Sequence, residues 1–102
     1  MEIKYKKNNS LLTVYVYGEL DECSASNAKN ILDKLLLDNL NVKSVVFDLS
    51  GLSFMDSTGI GLLIGRYKKF RCYGIPVYLT NPTLAIDRIL QMSGVYRLMP
   101  KV

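Results

Sequence analysis

The sequence predicts an α/β fold: a single domain, residues 1–102, in which helices pack on a mostly parallel sheet that begins with an antiparallel hairpin. Two strand-like segments separated by a short polar turn open the chain. After them, apolar segments with helical spacing alternate with short apolar segments typical of buried strands. The expected order is therefore β-β-α-β-α-β-α-β, and right-handed crossovers make the later strands parallel.

The hairpin is predicted within the first 21 residues. Apolar and charged residues alternate from Glu2 to Lys7, and residues 11–17 are rich in Val and Tyr. The polar segment Asn8-Asn9-Ser10 supplies the turn between these two strands. The second strand then ends in Gly18-Glu19-Leu20-Asp21.

A helix and a buried strand are predicted next. The helix is expected from Ala25 to Asn39, with Ser24 as its N-cap. The strand is expected over residues 42–49. Its apolar run Val45-Val46-Phe47 is typical of a strand that is covered on both faces.

The second helix is predicted to begin in the turn formed by residues 54–61, after Ser50-Gly51 ends the strand. Its expected core stripe consists of Ile60, Leu63, Ile64, Tyr67 and Phe70. The opposite side is expected to carry Gly61, Leu62, Gly65, Arg66 and Lys69. Gly74 follows as a typical residue for ending a helix.

Three further elements complete the expected order. Residues 75–80 are predicted to form a strand, and Asn81-Pro82 an N-cap with proline at the first helical position. The third helix is expected to run to Ser93 and to end at Gly94. Residues 95–99 are predicted to form a last strand.

The composition excludes several functional classes. The chain has no histidine, which excludes His-based catalytic triads and His-based metal motifs, so we expect neither an enzyme nor a metal or cofactor site. The glycine spacing matches neither a dinucleotide fingerprint nor a P-loop. The formal net charge is +4, but the basic residues are spread along the chain, so no direct nucleic-acid binding is expected.

The sequence also predicts where the protein works. It has no secretory signal and no apolar run long enough to span a membrane. The two cysteines, Cys23 and Cys72, are expected to be free thiols. These features indicate a reduced, cytoplasmic protein without membrane association.

The turn Asp56-Ser57-Thr58-Gly59 is the candidate site. A hydroxyl at a helix N-terminus meets unpaired N–H groups and the positive end of the helix dipole, which together favour a phosphate. Any of Asp56, Ser57 and Thr58 could instead serve only as the helix cap. If the sheet is parallel, Asp21 and Asp56 follow adjacent strands and emerge at one edge, where sites in open α/β folds are usual.

These residues resemble the anti-sigma-factor antagonists, a branch of the STAS-domain family. The resemblance rests on the pattern D-S-[ST]-G-[IL]-G over residues 56–61, placed between a strand and a helix. Gly18-Glu19-Leu20-Asp21, Asn81-Pro82 and Met92-Ser93-Gly94 also fit the family. The resemblance covers nearly the whole chain.

The resemblance implies a regulatory switch. The unphosphorylated protein would bind an anti-sigma factor that is also a serine kinase, and thereby release the sigma factor. The kinase would phosphorylate Ser57, with Thr58 as the alternative acceptor, and a metal-dependent serine phosphatase would reverse the modification. The expected partner-binding residues are Asp21, Asp56, Ser57, Thr58, Gly59, Ile60 and Leu62.

Two other functions stay open on the sequence. The chain could be a STAS signalling-scaffold or transporter-regulating module, or a domain that binds nucleotide weakly through Asp21, Asp56 and Ser57. Proteins of this kind often carry a further helix after the last strand, whereas this chain ends at Val102. Without that helix one side or edge of the sheet would be open, so a monomer or a weak dimer is expected.

Overall fold

The computed structural model describes all 102 residues and contains five strands and three α-helices. The strands are β1 (Glu2–Asn8), β2 (Leu11–Leu20), β3 (Ser44–Asp48), β4 (Leu52–Met55) and β5 (Val77–Thr80). The helices are α1 (Ala25–Asp38), α2 (Ser57–Cys72) and α3 (Leu84–Ser93), followed by a 3₁₀ turn over Val95–Arg97.

The strands form one mixed sheet in the order β1-β2-β3-β5. Strand β1 is antiparallel to β2, whereas β2 with β3 and β3 with β5 are parallel. The predicted fold class, a mostly parallel sheet that begins with an antiparallel hairpin, is confirmed. Parallel neighbours require a crossover between them, and the helices supply it.

Strand β4 was not predicted. The strand expected over residues 42–49 ends at Asp48. After the turn at Ser50-Gly51, the backbone stays beside β2 and continues as β4. The Gly18 N–H donates to the Gly51 carbonyl (2.9 Å), and β4 then pairs in parallel with residues 18–20 of β2. Strand β2 therefore pairs on the same side first with β3 and then with β4.

The predicted last strand is wrong. Residues 95–97 form a 3₁₀ turn, and only Lys101 makes a strand-like bridge, to Leu79. The Asp87 carboxylate holds this segment, because Tyr96 Oη and Lys101 Nζ both donate to it. These two hydrogen bonds hold the pKa of Asp87 below its ordinary value.

The start of α3 also differs from the prediction. Asn81 lies in the left-handed region (φ 55°), and Thr83 is the N-cap, with its side chain accepting from the Ile86 N–H (3.4 Å). Helix α3 begins after Pro82, so proline does not take the first helical position. Gly94 does end this helix, in the left-handed conformation that glycine adopts without strain (φ 77°).

One face of the sheet carries most of the core. Alternate residues of β2 and β3, such as Val14 and Phe47, are fully buried, whereas Tyr15 and Val46 on the other face are only half-buried. The apolar run around Val46 therefore does not mark a strand covered equally on both faces. Helices α1 and α2 pack against each other, and α3 packs beside β4.

Candidate functional site

The ends of β2 and β4 bring the two candidate aspartates to one edge of the sheet. Leu20 and Met55 are paired in the parallel ladder, so Asp21 and Asp56 are the next residues in register. The Asp56 N–H also donates to the Leu20 carbonyl (3.4 Å). The expectation that these aspartates follow adjacent strands and emerge together is confirmed.

Asp56 is the residue that caps α2. Its backbone is extended (φ −109°, ψ −173°), and its carboxylate oxygen Oδ1 accepts a hydrogen bond from the Gly59 N–H (3.1 Å). This is the usual N-cap arrangement, in which a side-chain oxygen satisfies a backbone donor that has no partner within the helix. Of the three residues that could have capped the helix, Asp56 takes this role.

Ser57 and Thr58 are therefore not needed as caps. They occupy the first two positions of α2, both are exposed, and neither hydroxyl hydrogen-bonds to another group of the chain. Both lie in the first turn, where the helix dipole and the unpaired N–H groups favour negative charge. The arrangement leaves two accessible hydroxyl groups at a place that suits an anion.

Asp21 organises the loop that leads into α1. Its Oδ1 accepts hydrogen bonds from the N–H groups of Cys23 (2.9 Å) and Ser24 (3.0 Å). Ser24 was predicted to be the N-cap of α1 and occupies that position, but its side chain makes no capping hydrogen bond. Its hydroxyl donates to the Glu19 carbonyl (2.8 Å) instead. The loop is thus held in a defined shape directly beside the start of α2.

Gly59 sets the distance between α2 and the strands. It is buried, and a Cβ at this position would overlap the Leu20 carbonyl oxygen and lie 2.8 Å from Met55 Cγ. Only glycine fits such a close approach of helix and strand backbones. Gly59 was expected to bind a partner, but its buried position gives it a packing role in this structure.

The buried face of α2 is rotated from the predicted one. Leu62 was placed on the polar side but is only 9% exposed, whereas Ile60 and Ile64 are half-buried. The reason is that α2 packs against α1 as well as the sheet, and Arg66 Nη1 lies 3.2 Å from Asp33 Oδ1 of α1. Ile60 is therefore the more accessible of the two apolar residues that were expected to touch a partner.

A shallow groove between the first turns of α1 and α2 was missed. Its volume is about 420 Å³, and its lining includes Lys29 of α1 together with Thr58 and Arg66 of α2. Arg66 had been placed on an exposed polar face. The pattern of α2 alone gave no signal that α1 covers this face, because a Cβ at Gly61 or Gly65 would meet no atom of the chain within 4 Å.

Asp48 lies at the end of β3 but outside this site. Asp48 pairs with Tyr15, which precedes Leu20 by five residues of β2. At about 3.3 Å per residue, Asp48 therefore lies about 16 Å along the strand from the end of β2. Burial raises the pKa of Asp48, but hydrogen bonds from Ser50 and Asn81 outweigh it and hold the pKa below its ordinary value. Asp48 thus fixes a turn and contributes nothing to the candidate site.

None of the three helices has both the length and the apolar character that crossing a membrane requires.

Comparison with known proteins finds the same domain in regulators of sigma factors. The model of the STAS domain family matches residues 2–102. The anti-sigma F factor antagonist of Paenibacillus polymyxa is 29% identical over 100 residues, which are 98% of this chain and 85% of that protein.

Two solved structures of the anti-sigma factor antagonist SpoIIAA have the same fold. The unphosphorylated form aligns with a TM-score of 0.80 at 22% identity, over 99% of this chain and 88% of that one. The phosphorylated Bacillus form aligns with a TM-score of 0.71 at 22% identity, over 99% and 91%.

Proposed function

This chain belongs to the STAS domain family, and we propose that it is an anti-sigma factor antagonist controlled by phosphorylation of Ser57. In the unphosphorylated form it binds an anti-sigma factor with serine kinase activity, and this releases the sigma factor. The kinase then phosphorylates Ser57 and the complex dissociates. A serine phosphatase restores the active form. The protein acts in the cytoplasm and catalyses no reaction itself.

The observation that carries the proposal is the free hydroxyl of Ser57 at the start of α2. It is exposed and adjoins the cap residue Asp56, so a kinase can reach it without unfolding the helix. The name of the Paenibacillus relative supports an anti-sigma factor as the partner. The two SpoIIAA forms support phosphorylation as a means of control in proteins of this fold.

A phosphate at Ser57 acts mainly through its charge. It adds about −1.5 to −2 charges next to Asp56 and close to Asp21. A partner carboxylate about 4 Å away would be repelled by about 4 kcal/mol per charge pair at an effective dielectric constant of 20. Salt and exposure reduce this to about 1–3 kcal/mol, which corresponds to roughly ten- to hundredfold weaker binding.

The fold itself is expected to tolerate the phosphate. The unpaired N–H groups in the first turn of α2 and the positive end of its dipole stabilise a negative charge at this position. The modification therefore changes the binding surface and leaves the domain folded. Thr58, one position further along, is the alternative acceptor.

The test is a titration with purified anti-sigma factors. We would use those encoded in the genome that carries this chain, with the anti-sigma F factor of Paenibacillus polymyxa as a reference. Phosphate transferred from ATP is located by mass spectrometry, and affinities are compared for the wild type, Ser57→Ala and Ser57→Asp. We expect phosphate on Ser57, tight binding by the Ala variant, and binding about ten- to hundredfold weaker by the Asp variant.

Two control variants make the result specific. Thr58→Val removes the alternative acceptor, and the phosphate should still be located on Ser57. Asn9→Asp adds one negative charge in the hairpin turn, at the opposite end of β2, and should leave binding unchanged. Equal binding by the wild type and both Ser57 variants, without phosphate on Ser57, would refute the proposed function.

A further inference from the structure

The groove between the first turns of α1 and α2 is lined by cations. Lys29 and Arg66 both contribute to its lining, whereas no acidic residue does. Thr58 lies on the same groove and is the neighbour of Ser57. The positive ends of two helix dipoles add to this charge, because Ser26 of α1 and Thr58 of α2 are both first-turn residues.

Arg66 has hydrogen-bonding capacity that the chain does not use. Its side chain is only 7% exposed, and its Nε has no hydrogen-bond partner. Its Nη1 lies 3.2 Å from Asp33 Oδ1, but Lys69 Nζ lies 3.2 Å from the other oxygen of the same carboxylate. Arg66 and Lys69 thus share one carboxylate, and Lys29 makes no ion pair within the chain. A buried donor without a partner is unfavourable, and an incoming anion would relieve this.

Two glycines on the exposed side of α2 provide a second, independent observation. Glycine inside a helix is unfavourable relative to alanine. A Cβ at Gly61 or at Gly65 would meet no atom within 4 Å, so nothing in this chain requires glycine at either position. Gly61 lies on the groove, whereas Gly65 does not. An external backbone that comes close to α2 at the groove would account for glycine at Gly61.

We propose that this groove receives a carboxylate side chain of the anti-sigma factor, carried on a segment whose main chain passes directly over Gly61. This inference rests on the proposed function and names the chemistry of the contact. The carboxylate sits between Lys29 and Arg66, next to Thr58. A phosphate on the adjacent Ser57 then introduces negative charge where the partner has already placed one, which accounts for the repulsion in the proposed switch.

The experiment measures the affinity of the same anti-sigma factor for two matched pairs of variants. Lys29→Glu should weaken binding by about tenfold or more, whereas Lys68→Glu, an exposed lysine of α2 outside the groove, should bind as the wild type does. Gly61→Ala should also weaken binding about tenfold, whereas Gly65→Ala should not. Both glycine variants should melt at a higher temperature than the wild type, which separates lost binding from lost folding.

A charge exchange identifies the partner's carboxylate. Replacing each exposed acidic residue of the anti-sigma factor by lysine should yield one variant that restores binding to Lys29→Glu. Wild-type binding by either Lys29→Glu or Gly61→Ala, or equal weakening by Lys68→Glu, would overturn the groove proposal.

The same titration separates the two proposals. If Lys29→Glu and Gly61→Ala bind like the wild type but Ser57→Asp binds weakly, the groove proposal fails and the proposed function stands. If Ser57→Asp also binds like the wild type, the proposed function fails and the groove proposal fails with it.

Discussion

Replacing Gly59 by alanine tests how closely α2 is docked on the sheet. The new methyl group would overlap the Leu20 carbonyl oxygen and lie 2.8 Å from Met55 Cγ, where ordinary contact begins at 3.4 Å. The Met55 side chain can rotate away. The Leu20 carbonyl cannot, because it belongs to the β2 backbone and accepts a hydrogen bond from the Asp56 N–H. Helix α2 must therefore move outward.

The magnitude follows from two opposing terms. Inserting a methyl group into a packed site costs about 1–3 kcal/mol of unfolding free energy. Alanine gains about 1 kcal/mol over glycine inside a helix. Gly61→Ala and Gly65→Ala receive this gain without a clash, because both positions face open space. Gly59→Ala should therefore be about 1–3 kcal/mol less stable than either of these two variants.

The measurement is urea unfolding of the three glycine variants and the wild type, followed by circular dichroism. Each kcal/mol also corresponds to about 4–8 °C in melting temperature for a domain of this size. We expect Gly61→Ala and Gly65→Ala to melt above the wild type, and Gly59→Ala to melt below both. If Gly59→Ala is as stable as Gly61→Ala, the close docking of α2 on Leu20 is refuted.

Three further predictions concern single side chains. Asp56→Ala removes the cap of α2 and should lower the unfolding free energy by about 0.5–2 kcal/mol, whereas Asp56→Asn should keep most of the wild-type stability because Asn is also a good N-cap. Equal losses for the two variants in urea unfolding would contradict the capping role of Asp56. Ser57→Asp should change the unfolding free energy by less than about 0.5 kcal/mol, because this exposed side chain makes no contact that the fold needs, and a larger loss would show a structural role. Tyr96 and Lys101 lower the pKa of Asp87 from 3.8, so the stability it contributes is present above pH 3.8 and is lost as the pH falls through the lower folded-state value. Urea titrations at several pH values should show a smaller acid-induced loss for Asp87→Asn than for the wild type, and identical pH profiles would contradict the network.

The edge of the sheet that carries the site could be predicted from the sequence as the carboxyl ends of parallel strands, although the short strand β4 that leads to Asp56 was not recognised. Leu20 and Met55 each end a strand, and an aspartate follows each. Parallel pairing then places the two aspartates together. The sequence also predicted a cap at the start of α2. It could not choose among Asp56, Ser57 and Thr58, because all three residue types accept hydrogen bonds from backbone N–H groups.

The orientation of α2 could not be predicted, because it depends on a second helix. Periodicity identified an apolar stripe through Leu63 and Tyr67, and both residues are buried. The burial of Leu62 and Arg66, however, results from packing against α1 and from the ion pair with Asp33. The pattern of a single helix carries no information about Asp33, which lies 33 residues before Arg66 in the chain.

Strand β4 and the end of the chain were missed for a related reason. β4 has only four residues, and its position beside β2 depends on the register change at Gly18. The apolar residues Val95 and Met99 are both buried, as a strand would predict, but the backbone turns between them. Asp87, which lies outside this segment, holds the turn through Tyr96 and Lys101.

The division of roles between Asp56 and Ser57 has an evolutionary consequence. Asp56 caps α2, whereas the hydroxyl of Ser57 is exposed and makes no hydrogen bond within the fold. Ser57 can therefore be exchanged without a penalty in stability, whereas Asp56 cannot. Under the proposed function, a lineage can lose, regain or permanently imitate phosphorylation of Ser57 by a single substitution. Natural selection can thus adjust regulation here independently of the stability of the domain.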